Sequence, residues 1–225
     1  MRTPTTRPRR LWPFVLIGLV IVGAIIAALT IYGPWRNIEP TAAPTTTPVP
    51  TETSVEDVEP TGCLGGSDRD AAMVLAAQAD APQTTGGAIE VATAFVRWLN
   101  QYPYPTAADI AEIEGSGLAD EAPTSDIASF FADEPNLSGG LVPDRTEYYL
   151  STVPGVYHLE SAADDSLTVS VGTALVIEGA MSPTLKGSIT VTVKWEDGRW
   201  KFVSSEGTRT TEDLYSIGLP FASGC

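Results

Sequence analysis

The chain has 225 residues and a formal net charge of −15, with 28 acidic side chains against 13 basic ones. So large a negative surplus repels nucleic acid and anionic membrane surfaces, and neither is expected as a direct ligand. The length allows one domain with an anchor and a spacer, not two full domains.

Residues 1–10 carry Arg2, Arg7, Arg9 and Arg10 without an acid. From Leu11 to Tyr32 no charge occurs. A helix rises about 1.5 Å per residue, so this stretch matches a hydrocarbon core of about 30 Å. In lipid, only a helix satisfies the backbone of such a segment from within. Trp12 at one end, and Tyr32 and Trp35 at the other, are placed as interfacial anchors. The positive-inside rule then keeps residues 1–10 in the cytoplasm and sends everything after residues 11–32 across the cell membrane. A cleaved signal peptide shares the basic start, but its apolar region usually spans about 7–15 residues and ends at a small-x-small site.

Residues 33–62 are dominated by proline, threonine and acids and show no hydrophobic period, which is the composition of an extended stalk. Residues 63–225 form the expected extracytoplasmic domain. All 28 acids and nine of the 13 bases follow the span, and arginine outnumbers lysine ten to three, a usage typical of high-GC bacterial genomes. The two cysteines, Cys63 and Cys225, stand at the two edges of this domain. In an oxidising exterior they read as a disulfide pinning the last residue beside the first. Free thiols and bridges between chains are the alternatives.

A helix is expected over Arg69–Ala79. A clearer one runs from about Gly87 to Gln101, where Ile89, Ala92, Phe95, Val96, Leu99 and Tyr102 recur at helical spacing and Pro103 closes the run. Thr106 and Asp109 have the spacing of a capping box. Thr124 or Ser125 is expected to cap a short helix containing Ile127, Phe130 and Phe131. After Pro143 the period changes to two. Glu147–Leu150 and Val156–Glu160 read as short strands. Leu167 to Ile177 and Ile189 to Trp195 alternate apolar and polar, and so do Trp200 and Phe202. Asp197-Gly198 between alternating runs is a strong hairpin signal. The upstream helices are the natural cover for the apolar face of this sheet, so the fold class is α+β: helices packed on a curved antiparallel sheet.

Helices followed by long bent strands that end in Lys194-Trp195-Glu196-Asp197-Gly198-Arg199-Trp200-Lys201 resemble the nuclear transport factor 2-like, cone-shaped fold over about residues 70–206. The resemblance implies a cone with Phe95, Trp98, Trp195 and Trp200 as its possible lining, although their helix and strand periods also suit core packing. A short cytoplasmic start, one span and an external domain of this fold is also similar in layout to assembly subunits of conjugation and type IV secretion machines. The fold alone does not fix a function.

Little in the chain carries chemistry. The one histidine, His158, lies in an expected strand and has no recognisable orienting partner, which a catalytic base needs. One histidine and two distant cysteines do not supply a usual zinc set, and Asp164-Asp165-Ser166 reads as a turn rather than a calcium loop. Gly86-Gly87 and Gly139-Gly140 read as turn or loop glycines, and no phosphate loop, dinucleotide fingerprint or nucleophile elbow occurs. No catalytic residue, metal ligand or cofactor is therefore assigned. The expected function is that of a non-catalytic, single-pass component of a cell-envelope assembly, such as a conjugation or secretion apparatus, with protein partners in the envelope. The alternative is an extracytoplasmic module that binds a small apolar ligand or a cell-wall component.

Overall fold

A computed structural model describes residues 57–225 apart from 124, 125, 135 and 208. The expected span at residues 11–32 and most of the stalk lie outside the described residues. Among those described, no helix is long and apolar enough to cross a membrane.

Helix α1, Ala71–Asp80, starts where the Asp70 carboxylate accepts the amide of Met73. Helix α2, Thr85–Leu99, is capped by Thr84, and everything from Gly86 to Leu99 is buried. A helix apolar nearly all round belongs inside a fold, and α2 packs against α1 on one side and strands on the other. Its expected start at Gly87 moves back to Thr85, so Gly86 and Gly87 are not turn or loop residues but the first turn of α2. They are glycines because backbone passes close by. A Cβ on Gly86 would meet the Val58 carbonyl oxygen at 2.3 Å, and one on Gly87 the Pro82 carbonyl oxygen at 2.2 Å. Gly87→Ala is therefore expected to destabilise by about 1–3 kcal/mol through overpacking, despite alanine's better helix propensity. Gly115→Ala is the control, since nothing lies within 4 Å of a Cβ there; thermal melts should move in opposite directions.

Helix α3, Ala107–Ser116, has the expected capping box: the Asp109 amide donates to Thr106 Oγ1, and the Thr106 amide to Asp109 Oδ2. Asp109 Oδ1 also accepts the first amide of α1, tying two helix starts together. Helix α4, Ile127–Asp133, is capped by Asp126 rather than by Thr124 or Ser125, because the Asp126 carboxylate accepts both the amide and the hydroxyl of Ser129.

The sheet is antiparallel, curled into a half-barrel and six-stranded: β1 (Gln101–Tyr102), β2 (Tyr148–Ala162), β3 (Ser166–Ile177), β4 (Ala180–Glu196) and β5 (Arg199–Glu206) in sequential order, with β6 (Leu219–Pro220) on β2. The two short strands expected at 147–150 and 156–160 are one strand broken by a bulge between Ser151 and Val156 that accommodates Pro154. The hairpin at Asp197-Gly198 forms with Trp195 opposite Trp200, both turn residues at positive φ. A second hairpin, at Glu178-Gly179, extends β4 well before Ile189. Gln78 of α1 joins helices to sheet, its amide donating to the carbonyls of Gly117 and Trp200.

Helix α5, Thr211–Ile217, packs on the outer face of the sheet, where Gly172 leaves room for Leu214 and Tyr215. Arg209, just before its N-cap Thr210, pairs bidentately with Glu160 at 2.6 Å, and Ser170 donates to the same carboxylate at 2.7 Å. These bonds, Arg209 first, hold the Glu160 carboxyl down from its ordinary 4.5 to about 2. A depressed carboxyl stabilises the fold fully above its unfolded pKa and loses that contribution as pH falls toward the folded value. The partly exposed pair contributes at most about 1 kcal/mol. Glu160→Gln should accordingly flatten the stability loss between about pH 4.5 and pH 2 in urea titrations.

Candidate functional site

Two places show geometry that packing alone does not require. The first is where residues 57–62 enter the domain. Residues 57–62, assigned to the stalk on composition, are held against α2 and the C-terminal tail. The Gly86 amide donates to Asp57 at 2.7 Å, and the Ala222 and Gly224 amides donate to the carbonyls of Pro60 and Thr61 at 2.9 and 2.6 Å. Glu90 of α2, only 7% exposed, turns its carboxylate to this segment. It accepts the Thr61 amide, the Thr61 hydroxyl at 2.6 Å, the Gly62 amide at 3.1 Å and the Leu64 amide at 3.3 Å. Seven residues along the helix, fully buried Arg97 donates to the carbonyls of Gly66 and Asp68 at 2.8 and 3.1 Å. Desolvation by burial, helped by neighbouring Arg69, pushes its pKa down to about 10. One helix thus reads the N–H groups of the incoming chain with an anion and its C=O groups with a cation. Sequence reasoning missed this clamp. The available signal was a pair of opposite charges seven apart on the most apolar helix, which places them on one face.

The Cys63–Cys225 disulfide lies over the clamp, with the Cα atoms 5.4 Å apart. Thr152 secures the far end: its hydroxyl accepts the Cys225 amide at 2.8 Å, and its own amide donates to the Cys225 carbonyl at 2.9 Å. The bond is intramolecular, so the alternatives of free thiols and of a bridge between chains do not hold here.

The second place is an open cleft between α2, α4 and β5. A part of about 210 Å3 is floored by Phe95 and Leu99, walled by Ile127 and Phe130, and bounded opposite by residues 202–206. A neighbouring part of about 220 Å3 shares Leu99, Phe130, Ser205 and Glu206 with it and continues to Leu137 and Ile189. Glu114 of α3 sets the α4 wall by accepting the Ile127 and Ala128 amides at 2.7 and 3.3 Å.

Of the four residues that the resemblance offered as cone lining, Phe95 alone borders this cleft. Trp98 is fully buried against Phe95 and Phe131. Trp200 is buried, stacks edge-on with half-buried Trp195, and donates its indole N–H to the Pro82 carbonyl at 2.9 Å. Their helix and strand periods make them packing residues, and the cleft opens elsewhere. His158 borders a different surface cleft with Asp57, Glu59 and Tyr157, and its imidazole makes no hydrogen bond to another described residue. Among the described residues no group of three potential metal ligands occurs. Asn136 is a loop staple, its amide donating to the Val142 carbonyl and to Asp144, both at 2.8 Å. No protein-family model, curated protein or solved structure matches the chain.

Proposed function

We propose that this chain is a non-catalytic, single-pass membrane protein whose extracytoplasmic domain, a nuclear transport factor 2-like cone, is a structural component of a cell-envelope assembly of the conjugation or secretion kind. The observation that carries this reading is the clamp at the stalk. A domain tethered to a membrane and docked on partners is pulled where the tether enters. Here the incoming chain is gripped by Glu90 and Arg97, and the disulfide passes tension to both ends of the folded chain at once. The basic N-terminus, uncharged stretch and Pro/Thr-rich spacer supply the tether. Crosslinking in intact cells, followed by purification and mass spectrometry, should return the same envelope proteins reproducibly. Recovery of the chain alone would sink the assembly reading.

The apolar cleft favours a second reading, an extracytoplasmic module for a small apolar ligand. The cleft lies open to solvent along β5 rather than enclosing a ligand on most sides as such pockets do, and so the assembly reading is preferred.

A further inference from the structure

Strand β5 is an edge strand, and the chain covers only part of its edge. Residues 117–119 run parallel beside it for a single bridge: the Phe202 amide donates to the Gly117 carbonyl at 3.1 Å, and the Ala119 amide to the Phe202 carbonyl at 2.8 Å. The chain then leaves. Beyond Phe202 the strand bulges at Val203, residues 204–206 pair with β4 on one side, and no other described residue bonds their backbone on the other. That open edge borders both parts of the apolar cleft, which follow one another along it from Phe202 to Gly207. Exposed strand edges are normally blunted, because unpaired N–H and C=O groups invite another strand. Here the edge ends in two serines, Ser204 and Ser205, and one exposed acid, Glu206.

From this we infer that the β5 edge is a docking site for an extended peptide segment of a partner protein, with apolar side chains at alternate positions and a basic residue facing Glu206. The peptide's backbone pairs with residues 204–206, past the bulge at Val203 where residues 117–119 leave the edge. Side chains of an added strand point alternately to the two faces of a sheet. Those on the cleft side enter the two apolar parts in turn, on either side of Phe130. This is the logic of β-strand addition, with main-chain bonds supplying affinity and pockets for alternate side chains supplying selectivity. Two adjoining cleft parts of about 210 and 220 Å3 offer successive places for such side chains. The charge argument is local and global alike: Glu206 at the cleft, Asp126 and Glu134 at the ends of α4, and a chain of net charge −15 all favour a basic segment.

The inference rests on the assembly reading and fails separately from it. Full-length chain is panned against a phage-displayed library of short linear peptides, and a selected peptide is synthesised for titration. Selected peptides should carry apolar residues at alternate positions with lysine or arginine beside them. N-methylation of alternate backbone amides along one edge should weaken binding by about tenfold or more, and of the other set should not. Glu206→Lys, an exposed change that spares the core, should transfer preference to an otherwise identical peptide bearing glutamate. Phe130→Asp should abolish binding of both. Absence of enrichment, indifference to N-methylation, or unchanged preference in Glu206→Lys overturns the proposal. If envelope partners crosslink to the wild type and equally to both variants, the assembly reading stands and this site does not.

Discussion

Glu90→Ala should lower the stability of the domain by about 3–5 kcal/mol, the scale of breaking a buried hydrogen-bonded charge. The substitution removes the acceptor for the amides of Thr61, Gly62 and Leu64 and for the Thr61 hydroxyl. Each buried donor left without an acceptor costs about 1–3 kcal/mol, and water entering beside residues 57–62 recovers part of that. The buried Arg97 guanidinium also loses the favourable field of the carboxylate on its own helix. Glu90→Gln should fall between wild type and alanine, since its NH2 group faces donors where an oxygen accepted. Two measurements check this: the urea midpoint, and hydrogen exchange at residues 61–64, which should accelerate well before global unfolding in the alanine variant. If the midpoint moves and these amides stay protected, Glu90 stabilises the helix rather than the junction.

Replacing both cysteines, Cys63→Ser with Cys225→Ser, should cost about 5 kcal/mol in the chain-entropy account, because the bond closes a loop with a sequence separation of 162 residues. For a domain of ordinary stability, about 5–15 kcal/mol, that is a large share. The C-terminal tail would keep its bonds to Pro60, Thr61 and Thr152, which limits the loss in the folded state. Because disulfide and clamp hold the same short segment, their effects should not add. A double-mutant cycle with Glu90→Ala should give a coupling of about 0.5–3 kcal/mol. Strict additivity would mean that tail and clamp act independently. On a non-reducing gel the wild type should migrate as a monomer without titratable thiol.

Several elements of this fold are legible in the residues themselves. The capping box at Thr106 and Asp109 and the hairpin at Asp197-Gly198 are local devices, complete within a few residues. The alternation from Leu167 to Ile177 records the strand, and Leu167, Val169, Val171 and Leu175 follow it, but the intervening Ser170, Ala174 and Val176 are buried as well. Cys63 and Cys225 were readable as a pair because they sit at the edges of one folded segment.

Other elements have no local signature. Helix α5 is seven residues long and buries Leu214 alone, too little to nucleate by itself; it forms where Gly172 opens a site on the sheet. Glu178-Gly179 is a tight turn without the usual asparagine or aspartate, held because Ile177 and Ala180 pair across it. Residues 57–62 look like stalk because nothing in their composition announces Glu90 waiting on a helix farther along the chain. The cleft is equally invisible in sequence, since it exists only where α4 stands off from β5.

The sequence by itself determined the helix-then-sheet order, the Asp-Gly hairpin and the two partners of the disulfide. All of these depend on composition or on short-range period, which act between neighbours along the chain. Only the tertiary structure decided where the folded domain begins, which aromatic side chains are core and which border a cleft, and which strand edge stays open. Those outcomes depend on contacts between distant segments, where a buried charge finds its donors or a backbone edge runs out of partners.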